Sequence, residues 1–197
     1  MIVVDIETSG TDPSKHSILS IGAVDFYNHD RLFYEECKLE EGKTFTTEAL
    51  NINGFDEKTL KSDKKKKLEE VLKDFMSWLE QINDITIGGH NVNFDAGFLN
   101  YSFKKYGINL SFGHRVVDTH TLVYASLLSR NAEIPLKNKK TDINSDYVFG
   151  YVGLPSEPKP HNALTGAKME AEALSRIIYK KPLFQEYSQY SIPYYLR

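Results

Sequence analysis

The order of strand-like and helix-like segments constrains the fold of this chain most. Three β-type segments come first, over residues 1–6, 17–27 and 31–39. Apolar periodicity then predicts helices over 67–82, 93–106, 119–128 and 163–179, with short strands over 85–87 and 115–118 between the first three of them. Three meandering strands followed by strands alternating with helices predict an α/β fold, a mixed five-stranded sheet with helices on both faces. A ligand site is expected at the carboxyl edge of its central strands.

Length and charge limit the classes of protein to consider. With 197 residues, 41% of them hydrophobic, the chain can bury one good core, and a single domain is expected. The net charge of −3 argues against a broad electrostatic binder of nucleic acid, because such proteins use many cationic phosphate contacts. It does not argue against a nuclease in which bound metal ions supply the local positive charge.

Cysteine usage and the first residues bear on the compartment. Cys37 is the only cysteine, so no internal disulfide can form and a reducing compartment is expected. The apolar run 1–4 is interrupted by Asp5 and Glu7 and is too short for a signal peptide or a membrane span. These features predict a soluble cytoplasmic protein with no membrane partner.

Asp5 and Glu7 stand two positions apart at the end of the first strand. Side chains at that spacing project from the same face of a strand, so the pair could hold one hard cation. The alternative is that both are polar residues where the strand leaves the core. For an Asp-x-Glu pattern alone, the alternative is favoured.

Asp95 and His161 are further candidates for chemistry. Asp95 follows a strand-to-helix junction, where a second such junction could bring it beside Asp5, or where it could simply stabilise the helix terminus. His161 precedes the last helix and follows a proline-rich stretch, 155–160. It could accept a proton from an attacking water, since histidine titrates near neutrality, or it could be a surface residue.

Together these segments carry a resemblance that none of them carries alone. The stretches 5–10 (DIETSG), 90–95 (HNVNFD) and 161–167 (HNALTGA), with Asp118-Thr119 after the fifth strand, resemble the exonuclease motifs of the DEDDh family of 3′-5′ exonucleases. That family includes the proofreading epsilon subunit of DNA polymerase III. The resemblance covers residues 2 to about 178. It implies a ribonuclease H-like three-layer α/β/α fold with sheet order 3-2-1-4-5 and strand 2 antiparallel.

The resemblance also implies roles for the candidate residues. Two divalent cations, Mg²⁺ or Mn²⁺, would be the cofactors. Asp5 would bridge both ions, Glu7 would bind one, Asp95 would support the second, and His161 would be the general base. Two such ions stabilise the attacking and the leaving oxygens of a phosphodiester.

The implied partner is the 3′ end of a single-stranded nucleic acid, with a DNA polymerase as a second partner to consider. From their positions, Thr8, Ser9, His16 and Phe98 are expected near the terminal nucleotide. The choice between DNA and RNA depends on contacts to the 2′-hydroxyl and stays open.

Gly166 departs from the family pattern, which has an aspartate five residues after the histidine. The glycine removes a metal ligand, so weaker metal binding and strongly reduced turnover are expected. Glu170, one helical turn later, is a candidate substitute. One turn is about 5.4 Å of rise, so the favoured alternative is that Glu170 is a solvated helix carboxylate.

Residues 1–180 are expected to form the exonuclease domain and residues 181–197 an aromatic C-terminal tail. The tail could stack on bases, but few cations are interleaved with its rings, so packing onto the domain or onto a second subunit is favoured. Two competing functions stay open. One is a non-catalytic nucleic-acid-binding or interaction module on a degenerate exonuclease fold, and the other is a small-molecule phosphoesterase.

Overall fold

The computed structural model describes residues 1–197 as a five-stranded sheet with helices on both faces. The strands of the sheet are β1 (Ile2–Thr8), β2 (Ile18–Asp25), β3 (Leu32–Glu36), β4 (Ile87–Gly89) and β5 (Val117–Asp118). The helices are α1 (Thr47–Asn53), α2 (Glu57–Leu60), α3 (Leu68–Leu79), α4 (Asn93–Lys105), α5 (Thr119–Ser129), α6 (Ser145–Tyr151) and α7 (Ala163–Tyr179). A separate hairpin, β6 (Leu136–Lys137) and β7 (Lys140–Thr141), precedes α6.

The sheet has the order β3-β2-β1-β4-β5, which confirms the predicted topology. Strand β2 runs antiparallel to β1 and β3, whereas β4 is parallel to β1 and β5 is parallel to β4. The central strand β1 begins with Ile2, Val3 and Val4, all fully buried. An apolar run of this kind is typical of a strand covered on both faces.

Two helical layers cover the sheet. On one face, α3 and α4 pack their apolar stripes against Ile2, Val4 and Ile6 in the largest core cluster. On the other face, α7 lies across β1 and β2, where Ala167, Ala171 and Leu174 contact Val3 and Val24. Helices α5 and α6 pack beside α7. The alternation of β1 residues between the two faces places Asp5 and Glu7 on the side of α7.

The start of α7 approaches β2 very closely. A β-carbon added at Gly22 would overlap the backbone of Ala163. Asn162 caps the helix by accepting hydrogen bonds from the backbone amides of Leu164 (3.1 Å) and Thr165 (3.2 Å). The close packing on β2 and the Asn162 cap therefore together fix the first residues of α7, next to His161.

Several predicted element bounds were wrong. Strand β1 continues through Glu7 to Thr8, so both acidic residues lie within it. Between the predicted helices 119–128 and 163–179, the structure also has the β6–β7 hairpin and α6, which were not predicted. In α7, Ile177 is buried and Ile178 is 41% exposed.

Helices α1 and α2 were not predicted. Both are short, and neither carries a long apolar periodicity. They depend on side-chain caps instead, with Thr46 accepting from the Ala49 amide (3.2 Å) and Asp56 from the Thr59 amide (2.6 Å).

The C-terminal segment packs onto the domain. Phe184, Ile192 and Leu196 are buried, and the Tyr195 hydroxyl donates to the Tyr151 carbonyl (2.8 Å). Its aromatic rings thus contact protein in this structure. None of the helices has the length and apolar character that crossing a membrane requires.

Candidate active site

A cleft of about 350 Å³ opens at the carboxyl ends of β1 and β4. Nineteen residues line it, and none of them is lysine or arginine. Six of them carry carboxylates: Asp5, Glu7, Glu48, Asp95, Glu157 and Glu170. The protein itself therefore supplies no cationic side chain to balance the negative charge of the cleft.

Asp5 and Glu7 enter the cleft from β1. In the sheet they lie opposite Gly22 and Ser20 of β2, and both side chains face α7. Gly166 of α7 is next to Asp5, close enough that an added β-carbon would overlap the Asp5 carboxylate.

Asp95 enters the cleft from the first turn of α4. Its Oδ1 accepts a hydrogen bond from the backbone amide of Ile6 (3.1 Å), the residue between Asp5 and Glu7. This bond holds the end of α4 against the end of β1. The structure thus brings Asp95 beside Asp5 and Glu7, although Asp95 lies nearly ninety residues later in the chain.

His161 completes the set on the opposite wall. Its Nδ1 lies 3.6 Å from Oε2 of Glu157. Ligand atoms of Glu7, Glu157 and His161 all lie within 4.8 Å of one another. The His161 backbone amide donates to the carbonyl of Ile52 (3.0 Å), which attaches this segment to α1.

Burial and mutual repulsion raise the pKa values of these carboxyl groups. The pKa of Asp5 is raised well above its usual value, first by burial and then by the charges of Glu170 and Asp95. Burial likewise raises the pKa of Asp95, against the effect of its backbone hydrogen bonds. The pKa of Glu7 is raised to about 8 by burial and by Glu157. Carboxylates held this way are costly without a cation.

The donor set suits a hard divalent cation. Carboxylate oxygens dominate the cleft, and the imidazole of His161 is the only nitrogen ligand of the Glu7–Glu157–His161 cluster. Mg²⁺ and Mn²⁺ prefer oxygen ligands. The residues present therefore fit such an ion.

Glu170 is not the solvated carboxylate that the sequence favoured. It is only 6% exposed, and it lines the same cleft as Asp5 and Asp95. Burial, followed by the charge of Asp95, raises its pKa well above the usual value. One helical turn does not take Glu170 out of the cleft, because α7 packs directly against β1. A side chain one turn past Gly166 therefore still faces the acidic cluster.

The four residues expected near a terminal nucleotide are placed differently from one another. Thr8 lines the cleft. Ser9 is fully buried, and its hydroxyl donates to the Thr44 carbonyl (2.7 Å). His16 lies behind the cleft wall, where its Nδ1 accepts from the Asp12 amide (3.0 Å).

Phe98 belongs to the core and does not line the cleft, since only 2% of it is exposed. Its ring packs against Phe94, with the ring centroids 5.0 Å apart. Phe94 is the ring that lines the cleft. Phe94 and Phe98 lie on the same face of α4, and about 6 Å of rise along the helix axis separates the ring at the cleft from the ring in the core.

Sequence reasoning missed several residues of the cleft, among them Glu157, Phe94 and Ile52. Glu157 stands four residues before His161, a spacing that could have indicated a partner for the imidazole. Phe94 adjoins the motif aspartate and could have been considered with it. Ile52 had no local signal, because it reaches the cleft only through α1.

Comparison with known proteins gives a family match over most of the chain. The family model described as Exonuclease (RNase_T) matches residues 2–174. The chain is 28% identical over 189 residues to a protein named 3′-5′ DNA exonuclease Cap18 from Escherichia coli, covering 91% of each protein. It is 27% identical over 182 residues to DNA polymerase III subunit epsilon from Haemophilus influenzae, covering 89% of this chain and 64% of that protein.

Longer relatives and solved structures are similar to the same region. The chain is 28% identical over 177 residues to DNA polymerase III PolC-type from Thermotoga maritima, and spans only 12% of that protein's length. The nuclease domain of 3′hExo, described as a DEDDh family member bound to rAMP, has a TM-score of 0.67 at 14% identity, covering 93% of this chain and 94% of that one. Exonuclease I of E. coli in complex with a dT13 oligonucleotide has a TM-score of 0.68 at 17% identity, covering 89% and 40%. These neighbours share the ribonuclease H-like fold.

Proposed function

This chain belongs to the Exonuclease (RNase_T) family, and from that premise we propose that it is a metal-dependent 3′-5′ exonuclease of the DEDDh type. It removes nucleotides from the 3′ end of single-stranded DNA or RNA by phosphodiester hydrolysis. Family membership supports the reaction class, and the relatives named as 3′-5′ exonucleases support its direction.

One observation carries the proposal. Asp5 and Glu7 come from β1, Asp95 comes from the first turn of α4, and all three meet in one cleft with His161. No lysine or arginine lines that cleft, so the carboxylates are arranged for a cation that the protein does not supply. A phosphodiester, which is itself anionic, could enter such a cleft only with cations present.

Each residue has a role in the proposed reaction. Asp5, Glu7 and Asp95 would hold two divalent cations, Mg²⁺ or Mn²⁺. When bound, these ions would activate water and stabilise charge on the attacking and leaving oxygens. His161 accepts the proton of the attacking water, and Glu157, 3.6 Å from Nδ1, orients the imidazole so that Nε2 is left for the proton.

The walls of the cleft would position the end of the strand. Phe94 offers an aromatic face for a base, and Ile52 at the end of α1 offers an apolar contact on the opposite side. The Asn53 amide donates to the Thr8 carbonyl (3.0 Å) and keeps α1 in place. Thr8 lines the cleft beside Asn53, and we propose that it contacts the terminal nucleotide.

Gly166 is proposed to reduce turnover. It provides no carboxylate at the position where the family has an aspartate, so that position contributes no ligand to the ions. Activity is therefore expected to require a higher metal concentration than in the Gly166→Asp variant. We further propose that the protein associates with a DNA polymerase, because two relatives are named as DNA polymerase III proteins. Copurification with a DNA polymerase would test this.

A ladder assay tests the activity. Single strands of DNA and of RNA, labelled at the 5′ end, are incubated with Mn²⁺, with Mg²⁺ or with EDTA. We expect products shortened stepwise from the 3′ end in the presence of metal only. The matched control is Asp5→Asn, which keeps the size of the side chain and should abolish the ladder.

Failure has distinct forms. Binding of the strand without cleavage at any metal concentration would favour the non-catalytic module on a degenerate exonuclease fold. Hydrolysis of a mononucleotide ester without any ladder would favour the small-molecule phosphoesterase. A ladder of equal intensity in the Asp5→Asn protein would indicate a contaminating nuclease.

A further inference from the structure

An oxygen of Glu170 lacks a partner inside the protein. Glu170 is more than nine-tenths buried, and although the His90 backbone amide lies near its carboxylate, Oε2 makes no hydrogen bond. Buried polar atoms in folded proteins nearly always have partners, and a buried carboxylate without one is costly. An atom of this kind, lining a cleft, points to a ligand that binds there.

The surroundings of Glu170 leave room for this oxygen. A β-carbon at Gly89, at the end of β4, would lie 2.8 Å from Oε2, so only glycine leaves the carboxylate in place. Asp5 and Asp95 line the same cleft, and no lysine or arginine does. The nearest charges are therefore negative, and a cation is the ligand class that suits the group.

The position of Glu170 relates it to the missing ligand. Gly166 and Glu170 are separated by one helical turn and lie on the same face of α7. At Gly166 the helix backbone comes so close to β1 that an added β-carbon would overlap the Asp5 carboxylate. With the helix this close, a glutamate one turn farther on still reaches the cleft.

We infer that Glu170 supplies the carboxylate that position 166 lacks and binds a divalent cation together with Asp5 and Asp95. The inference rests on the proposed function for the class of ligand. On this inference four carboxylates remain to hold cations, since α7 contributes one through Glu170 although position 166 carries none.

Metal binding, measured apart from activity, tests the inference. Mn²⁺ is titrated into the full chain by calorimetry and followed by the electron paramagnetic resonance signal of the free ion. The variant is Glu170→Gln, which keeps the size of the side chain and removes its charge. The matched control is Glu41→Gln, an exposed glutamate outside the cleft.

We expect Glu170→Gln to lower the affinity for Mn²⁺ at least tenfold and Glu41→Gln to change it less than twofold. Without metal, Glu170→Gln should unfold at the same temperature as the parent or higher, because an unpaired buried charge is removed. An affinity of Glu170→Gln within twofold of the parent would overturn the inference.

A second pair of variants tests whether Glu170 replaces the ligand missing at position 166 or only adds negative charge to the cleft. In a Gly166→Asp background, the loss of affinity caused by Glu170→Gln should shrink to less than threefold, because the family position again carries a ligand. An equal loss in both backgrounds would contradict the idea that Glu170 replaces that position.

The ladder assay on the same samples distinguishes the two proposals. If Mn²⁺ binding depends on Glu170 but no strand is cleaved, the inference stands and the proposed function fails. If the parent cleaves and Mn²⁺ binding does not depend on Glu170, the function stands and the inference fails.

Discussion

Gly166 and the carboxylate of Asp5 share one space. A β-carbon at Gly166 would overlap Oδ2 of Asp5 and lie 2.9 Å from its Cγ. The glycine therefore has two effects, since it removes a ligand and it also lets Asp5 lean against the helix. Replacing it changes the position of Asp5 as well as the charge of the cleft.

Gly166→Asp should bind Mn²⁺ more tightly than the parent, by about tenfold, or roughly 1.4 kcal/mol. An ion gathers the carboxylates, so Asp5 can move off the helix when metal is present. Without metal, the added charge joins a buried acidic cluster, and the melting temperature should fall by a few degrees. Calorimetric titration and thermal unfolding in EDTA measure the two effects.

Gly166→Ala is the control for that change. It introduces the same overlap with Asp5 but no carboxylate, so the affinity for Mn²⁺ should not rise. Tighter binding by the alanine variant would show that the shape of the helix, rather than the missing charge, limits metal binding.

Removal of metal should make the stability of the protein depend on pH. The pKa values of Asp5, Asp95 and Glu170 are raised by burial, and that of Glu7 is raised to about 8. The unfolded chain releases these protons near pH 4, so it binds fewer protons than the folded chain above that pH. Stability therefore falls as pH rises toward the folded pKa values.

Urea unfolding in EDTA between about pH 7.5 and 8.5 measures this dependence above the usual pKa of histidine. We expect a loss of roughly 1–3 kcal/mol across that interval, reduced in Glu7→Gln and removed by Mn²⁺. A stability that rises with pH in EDTA would contradict the expectation.

Gly22→Ala should destabilise the fold by roughly 3 kcal/mol, the upper part of the range for overpacking. The added β-carbon would overlap the backbone of Ala163, and neither the strand nor the helix can yield easily. Gly97→Ala is the matched control, because nothing lies near that position in α4. It should stabilise the helix by about 0.5–1 kcal/mol, since alanine is the better helix former. Urea unfolding compares the two.

Arg176 and Glu172 form a fully buried ion pair on α7, with Nε 2.6 Å from Oε1. Glu172 also accepts from the Leu183 amide (2.7 Å), and Arg176 donates to the Tyr187 carbonyl (2.8 Å). Arg176→Met leaves the glutamate unpaired, and we expect a loss of about 3–5 kcal/mol. Replacing both partners by apolar residues should restore only part of the stability, because the Leu183 amide and the Tyr187 carbonyl then lose their partners. Chemical unfolding of the single and double variants would show this.

Cys37 should be unreactive in the folded protein. It is fully buried, and its thiol donates to the Ile18 carbonyl (3.1 Å). Burial, assisted by the charge of Glu40, raises the pKa of this thiol, so little thiolate forms. An aromatic disulfide reagent should label the denatured chain at once and the native chain only at the rate of unfolding. Fast labelling under native conditions would show that β3 opens locally.

The pattern of the sequence predicted a mixed five-stranded sheet, and the resemblance to the DEDDh family implied its strand order. Long apolar periodicities predicted α3, α4 and α7. Short elements such as α1 escaped prediction, because a helix of seven residues depends on its cap and on tertiary contacts.

By itself the sequence determined which residue types could do chemistry: Asp5, Glu7, Asp95 and His161 each belong to a motif with a fixed place in the chain. Only the tertiary structure decided where Glu170 and Glu157 lie, because the distance between a helix and a strand is set by packing. That distance is short here because glycine at 22 and 166 lets α7 approach the sheet. Local periodicity is encoded residue by residue, whereas the approach of two elements depends on every side chain between them.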